Sequence, residues 1–184
     1  MKIIGLVGPK RSGKDTAAEY IEKKYGAKRH AHSEIFVQFL NLLGVENSRE
    51  NVIKMVELRK VFGEDVLINA INKKIQDDSA ELEVITGIRF QNEFENIRKY
   101  PGSILIYIDA PIEKRYKWQL EDNQYSGDST MSFEEFVKIE KTKETEVHIA
   151  ELGKKCEYKL LNNGSKEQLF SEIDKILKEH EIRA

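Results

Sequence analysis

Three layers, with a five-stranded parallel sheet between helices, are what this sequence predicts, and two observations predict it. Short, nearly all-apolar runs alternate with helical periodicity from one end to the other, the pattern of parallel strands buried on both faces. A glycine-bearing segment, Gly8 to Lys14, then joins the first of those runs to the first amphipathic helix. At 184 residues and 40% hydrophobic content, the chain suits one domain with a sizeable core.

Taken in order, Lys2–Val7 is the first strand. The stripe Ala17, Ala18, Ile21 and Tyr25 gives a helix, and Gly26 stands where a left-handed C-terminal residue is wanted. A shorter strand follows near Lys28–His32. Leu67, Ala70, Ile71 and Ile75 mark another helix, and Leu82–Thr86 and Ser103–Asp109 are the clearest later strands. From Trp118 to Met131 the chain is polar and aperiodic, a loop long enough to act as a moving flap. Ser132 with Glu135 reads as a capping box opening a helix that carries Phe133, Phe136 and Val137. The stretch Lys138–Glu146 reads as a solvated helix face with i,i+4 pairs. Tyr158–Leu161 completes the sheet, and a second capping box, Ser165 with Gln168, opens the last helix.

The charges nearly cancel: 30 basic against 32 acidic residues, a net charge of −2. That balance argues against a nucleic-acid groove or a polybasic membrane patch, so a site for a polyanion must concentrate its cations locally. The single cysteine, Cys156, excludes an internal disulfide framework and fits a reducing cytoplasm. The apolar start of the chain is too short for a signal peptide, and no segment reaches the length of a membrane span. A cytoplasmic protein, monomer or homodimer, is the expectation.

Chemistry enters at Gly8-Pro9-Lys10-Arg11-Ser12-Gly13-Lys14, which matches GxxxxGK between a hydrophobic strand and an amphipathic helix. Its glycines let backbone N–H groups nest around a β-phosphate, and the helix N-terminus adds its positive end. Lys14 supplies a point charge that follows the β- and γ-phosphates. The segment therefore points to a P-loop NTPase fold holding ATP. Asp15 stands where Ser or Thr is usual, with Thr16 next, and oxygen ligands at Asp15 and Thr16 suit Mg²⁺.

No guanine-reading Asn-Lys-x-Asp segment is present, and Thr86-Gly87 stands where a Walker B aspartate belongs. The balance falls toward small-molecule kinases, which need a second phosphate site and a means of excluding water. Arg89, just past the Leu82–Thr86 strand, lies at the carboxyl edge where ligands bind in parallel sheets, and Arg59 precedes Gly63 by four residues.

Lys10-Arg11-Ser12-Gly13-Lys14-Asp15-Thr16, with Ile88-Arg89-Phe90-Gln91-Asn92-Glu93, resembles the bacteriophage-type deoxynucleoside monophosphate kinases. It is also similar to the archaeal dephospho-CoA kinase-like or adenylate kinase-like proteins. The likeness extends through Arg59–Ala70, Ile108-Asp109-Ala110-Pro111 with Arg115, and Asn162-Asn163-Gly164-Ser165. It implies a core of residues 1–32, 79–115 and 134–184, a helical acceptor-binding insertion over about 33–78, and a lid over about 116–133. By the resemblance, Arg59 and Arg89 bind an acceptor phosphate, Glu93 orients Arg89 or an acceptor hydroxyl, and Arg115 touches the donor phosphates. Asn163 and Gly164 pack against the donor's adenine. Lys14, Arg89 and Arg115 form the catalytic set.

The expected activity is ATP-dependent transfer to a small nucleotide acceptor, a nucleoside or deoxynucleoside monophosphate foremost. Dephospho-CoA is the alternative, with Glu93 or Asp109 as base; a non-catalytic ATP-binding regulator is a rival of another class. His30 and His32 share a strand face but lack a third ligand, so no zinc site is expected.

Overall fold

A computed structural model describes residues 1–121 and 131–184, apart from the Arg49 side chain. All five expected strands are present: β1 (Lys2–Val7), β2 (Lys28–Ala31), β3 (Leu82–Thr86), β4 (Ile104–Asp109) and β5 (Tyr158–Leu161). They form one sheet in the order β2-β3-β1-β4-β5, parallel throughout, with Ile4 opposite Val84 on one side and Ile104 on the other. Branched aliphatic residues such as Ile3, Ile4, Val84, Ile85, Ile104 and Ile106 dominate the three central strands, which are buried on both faces; Glu83 and Thr86 on β3 are the buried polar exceptions.

Helix α1 (Lys14–Tyr25) and the last helix, α11 (Lys166–Glu179), cover one face, burying Ala17, Ala18, Ile21, Ile173 and Leu177 against β1 and β4. α5 (Val66–Asp78), α6 (Gln91–Arg98) and α10 (Ile149–Lys154) cover the other, around Ile71, Phe94, Ile97 and Leu152. Gly26 ends α1 in the left-handed conformation (φ 67°), as its position suggested. Both capping boxes form: Ser132 opens α8 (Phe133–Thr142), and Ser165 opens α11.

Between β2 and β3 the chain is helical: α2 (His32–Leu42), α3 (Arg49–Val56), α4 (Leu58–Phe62) and α5. Phe36, Leu40, Met55 and Leu67 give this region its own small core. The expected loop from Trp118 is shorter than the sequence suggests. α7 (Ile112–Glu121) continues through Trp118, because Gln119, although polar, is buried and its Oε1 accepts from Arg11 Nε at 3.0 Å. The remainder of the expected flap, residues 122–130, lies outside the described residues. Among the described residues no helix is long and apolar enough to cross a membrane.

Candidate active site

The strand order creates the site. From β1 the chain crosses to β2 and β3 on one side and to β4 and β5 on the other, so a crevice opens at the carboxyl end of β1. The phosphate loop, residues 8–14, leaves β1 into that crevice. A Cβ on Gly8 would lie 2.2 Å from the Ile108 carbonyl oxygen, and one on Gly13 (φ +98°) would lie 2.3 Å from Asn162 Nδ2. Glycine is therefore required at both positions. Arg11, a non-glycine residue at φ 62°, holds a strained conformation of the kind that clusters at functional sites.

Two cavities flank the loop. Lys10, Arg11, Lys14, Asp15, His32, Arg89, Phe90, Glu93 and Glu146 line the first, with an apolar wall that includes Phe36, Val56 and Leu67. The second is lined by Arg11, Gly13, Asp15, Thr16, Trp118, Asn162, Gly164 and Leu169. Arg11 and Asp15 are common to both.

Lys14 is buried, and burial lowers its ammonium below the ordinary lysine range, with Arg89 adding to the effect and Asp15 opposing it. The protein around Asp15 resists its ionisation, but Lys14, 3.3 Å from Oδ2, and Arg89 outweigh that and hold the carboxyl below its usual range. Thr86 Oγ1 is buried without a well-formed hydrogen bond, yet lies near enough to help lower Asp15. Hydroxyl and carboxylate have thus exchanged places relative to the usual P-loop, where Ser or Thr follows the lysine and an aspartate ends the neighbouring strand. The pair still offers the hard oxygen ligands that Mg²⁺ prefers. Thr16 lines the second cavity, as Asp15 also does. Among the described residues there is no cluster of three histidine, cysteine or acidic side chains fit for a metal.

The arginines are engaged. Arg89 Nη1 donates to Glu146 Oε2 at 3.0 Å and to the Gly8 carbonyl at 3.5 Å. Arg115, also buried, is held by both oxygens of Glu140 and donates to the carbonyls of Ala110 (2.8 Å) and Lys10 (3.3 Å). The reading of Lys138–Glu146 as a solvated face is therefore corrected: Glu140 and Glu146 are half-buried partners of the two catalytic candidates. Nothing local in the sequence marks them, since the partners lie 25 and 57 residues away.

Other candidates fall in distinct places. Glu93 accepts from the amides of Arg89 (2.7 Å) and Phe90 (3.2 Å), fixing the turn after β3 rather than the guanidinium. Arg59 lies outside both linings; its guanidinium stacks 3.4 Å from the centre of the Phe90 ring. Gly164 lines the second cavity. Asn163, whose carbonyl accepts from Lys114, is not among that lining. Its neighbour Asn162 is the more intimate contact: Nδ2 donates to the Ser12 carbonyl at 3.0 Å, and the backbone N–H to Asp109 at 2.7 Å. Sequence reasoning passed over Asn162 because an Asn-Asn-Gly turn gives both asparagines the same local signal. His30 and His32 do not converge on a metal: His30 pairs with Glu83, and His32 meets the Thr86 carbonyl. Cys156 is buried, and burial pushes its thiol up to about 12, which disfavours the reactive thiolate.

No family model matches the chain. It is 30% identical over 182 residues to a UPF0200/UPF0201 protein of Archaeoglobus fulgidus, spanning 96% of this chain and 55% of that one. Over 141 residues it is 31% identical to the deoxycytidylate deaminase of Schizosaccharomyces pombe, spanning 76% of this chain and 38% of the deaminase. The chain thus spans about half the length, or less, of these curated relatives. A UPF0200 protein of Thermococcus kodakarensis matches end to end, with 24% identity over 96% and 97% of the two chains. Among solved structures, the shikimate kinase of Bacteroides thetaiotaomicron superimposes with a TM-score of 0.65 at 13% identity, over 97% of this chain and 98% of that one. The shikimate kinase of Acinetobacter baumannii, in complex with shikimate, gives 0.62 at 15% identity, over 98% and 95%. The fold is that of the P-loop kinases.

Proposed function

We propose that this protein is an ATP- and Mg²⁺-dependent phosphotransferase that moves the γ-phosphoryl group to a small nucleotide acceptor, a nucleoside or deoxynucleoside monophosphate. The observation that carries the reading is the pair of cavities sharing Arg11 and Asp15. A donor whose base lies near Trp118 and Gly164 would run its phosphates along Gly13 and Lys14 and end where the other cavity begins. That arrangement suits in-line transfer between two bound molecules. The S. pombe relative is named for a deoxynucleoside monophosphate, which agrees in substrate class.

In this reading Lys14 and the loop amides hold the β- and γ-phosphates, and Asp15 with Thr86 would hold Mg²⁺, whose charge would offset that of the phosphates. Arg89 receives the acceptor phosphate by exchanging Glu146 for it, and Arg115 turns to the donor by exchanging Glu140. Arg59 supports this site from behind Phe90. A phosphate acceptor attacks through an oxygen that is already ionised, so no base is required. Transfer to a hydroxyl, as in dephospho-CoA, is less well supported. Glu93 already takes two backbone amides on Oε2, and Asp109 Oδ1 accepts from the Ala110 N–H.

A coupled assay of ADP release with ATP, Mg²⁺ and a panel of NMPs, dNMPs and dephospho-CoA tests the reading. Turnover on a nucleoside monophosphate is expected, falling about 10²–10³-fold in Lys14→Ala, the loss typical of removing one group aimed at developing charge. Tight ATP binding with no turnover on any acceptor would overturn it in favour of a nucleotide-binding regulator.

A further inference from the structure

His32 opens α2 directly after β2, beside the end of β3, where Ala31 pairs with Thr86. The residue is 4% exposed, and Nδ1 lies 3.1 Å from the Thr86 carbonyl oxygen. A carbonyl only accepts, so Nδ1 carries the proton. In the singly protonated ring Nε2 is then a bare lone pair. Nε2 has no hydrogen-bond partner among the described residues, although His32 lines the same cavity as Lys14 and Arg89. Gly87 (φ +77°) packs against the His32 backbone, where an added Cβ would come within 3.3 Å of its nitrogen, so the residue is firmly seated.

The other charged groups of that cavity are already assigned. Its lysines and arginines are donors suited to phosphate. Its carboxylates are engaged: Asp15 with Lys14, Glu93 with two amides, Glu146 with Arg89. Each of these bonds falls on a single oxygen, Asp15 Oδ2, Glu93 Oε2 or Glu146 Oε2, whereas His32 Nε2 differs in facing the cavity with no partner among the described residues. Opposite lies an apolar wall, Phe36, Val52, Ile53, Val56 and Leu67, fit for the face of a flat ring. We propose that His32 is a specificity-determining residue of the acceptor cavity, its Nε2 accepting a hydrogen bond from an N–H or O–H group on the base or sugar of the acceptor. This rests on the cavity being the acceptor site of a phosphotransferase. It selects nucleotides that present such a donor, and it disfavours those that present only a lone pair there, since two facing acceptors leave both unpaired.

Two variants separate the ring's nitrogens. His32→Asn keeps an N–H able to reach the Thr86 carbonyl but has nothing at the Nε2 position, whereas His32→Gln extends a carbonyl oxygen toward it. With the best acceptor of the panel, His32→Asn is expected to raise acceptor KM about tenfold, the worth of one hydrogen bond of roughly 1.4 kcal/mol. ATP KM should be unchanged, and His32→Gln should recover part of the loss. In ¹⁵N spectra of the wild-type histidine side chains, the unprotonated Nε2 signal should move when acceptor is added and stay when ATP alone is added. Wild-type turnover with an unaltered acceptor KM in His32→Asn overturns the assignment while leaving the phosphotransferase reading intact. A fall in kcat at constant KM on a hydroxyl acceptor overturns it in favour of a general base. No wild-type turnover on any acceptor overturns both.

Discussion

At the scale of single residues, one ionisable pair lies buried in the sheet, across β2 and β3. Glu83 is fully buried on β3, and His30 Nε2 on β2 lies 2.8 Å from its Oε2, with Asp78 3.4 Å away. Burial, with the Asp78 charge adding, pushes the Glu83 carboxyl up to about 7, against a backbone hydrogen bond at Ala80 and the Lys28 charge. Burial likewise lowers His30. A carboxyl raised in the folded state contributes its full stability below the unfolded value of about 4.5, and that contribution is lost as pH rises through about 7. Glu83→Gln, whose amide can still meet His30, should stabilise the fold at pH 8 by on the order of 1–3 kcal/mol and so raise Tm there. It should raise it little or not at all at pH 5. Thermal unfolding at the two pH values checks this, and an equal shift at both would mean that Glu83 is not the titrating group.

At the scale of elements, α8 and the short helix α9 (Glu144–Val147) lay a carboxylate on each of the two arginines proposed to handle phosphate. A ligand that takes over Arg89 must first displace Glu146, and apparent affinity falls by the fraction of molecules in which that pair is open. Glu146→Gln should therefore lower acceptor KM severalfold without altering ATP KM, and Glu140→Gln should do the reverse. Steady-state kinetics with each substrate varied in turn decides it. A raised KM in either variant would show that the glutamate helps bind its ligand rather than competing with it. These pairs also mark the limit of what was legible in the chain. The strands, the capped helices and the phosphate loop each carry a contiguous signature, a run, a period or a spacing, and all were readable. Glu140 and Glu146 carry none, because a glutamate on a polar helix looks the same whether it faces water or an arginine many residues away. Trp118–Glu121 read as loop for a related reason: the bond between Gln119 and Arg11 that holds them in a helix is tertiary.

At the scale of the whole molecule, the topology divides the crevice into two chambers with the phosphate loop as their common wall, and one residue can report which chamber fills. Trp118 is the sole tryptophan, and it lines the chamber assigned to the donor. Its indole is an amphipathic ring able to stack on a base. ATP or ADP should therefore change its fluorescence saturably, while a nucleoside monophosphate at the concentration of its KM should leave it unchanged. Gly13→Ala supplies the control. The added Cβ would meet Asn162 Nδ2, and φ +98° is strained for any side chain, so the contact joining the loop to the turn after β5 must shift. The variant should keep its secondary structure, since Gly13 lies outside the core clusters, but lose the ATP-dependent signal. If the monophosphate alone gave the ATP-like change, the Trp118 chamber would belong to the acceptor, and the direction of transfer across Asp15 would have to be reversed.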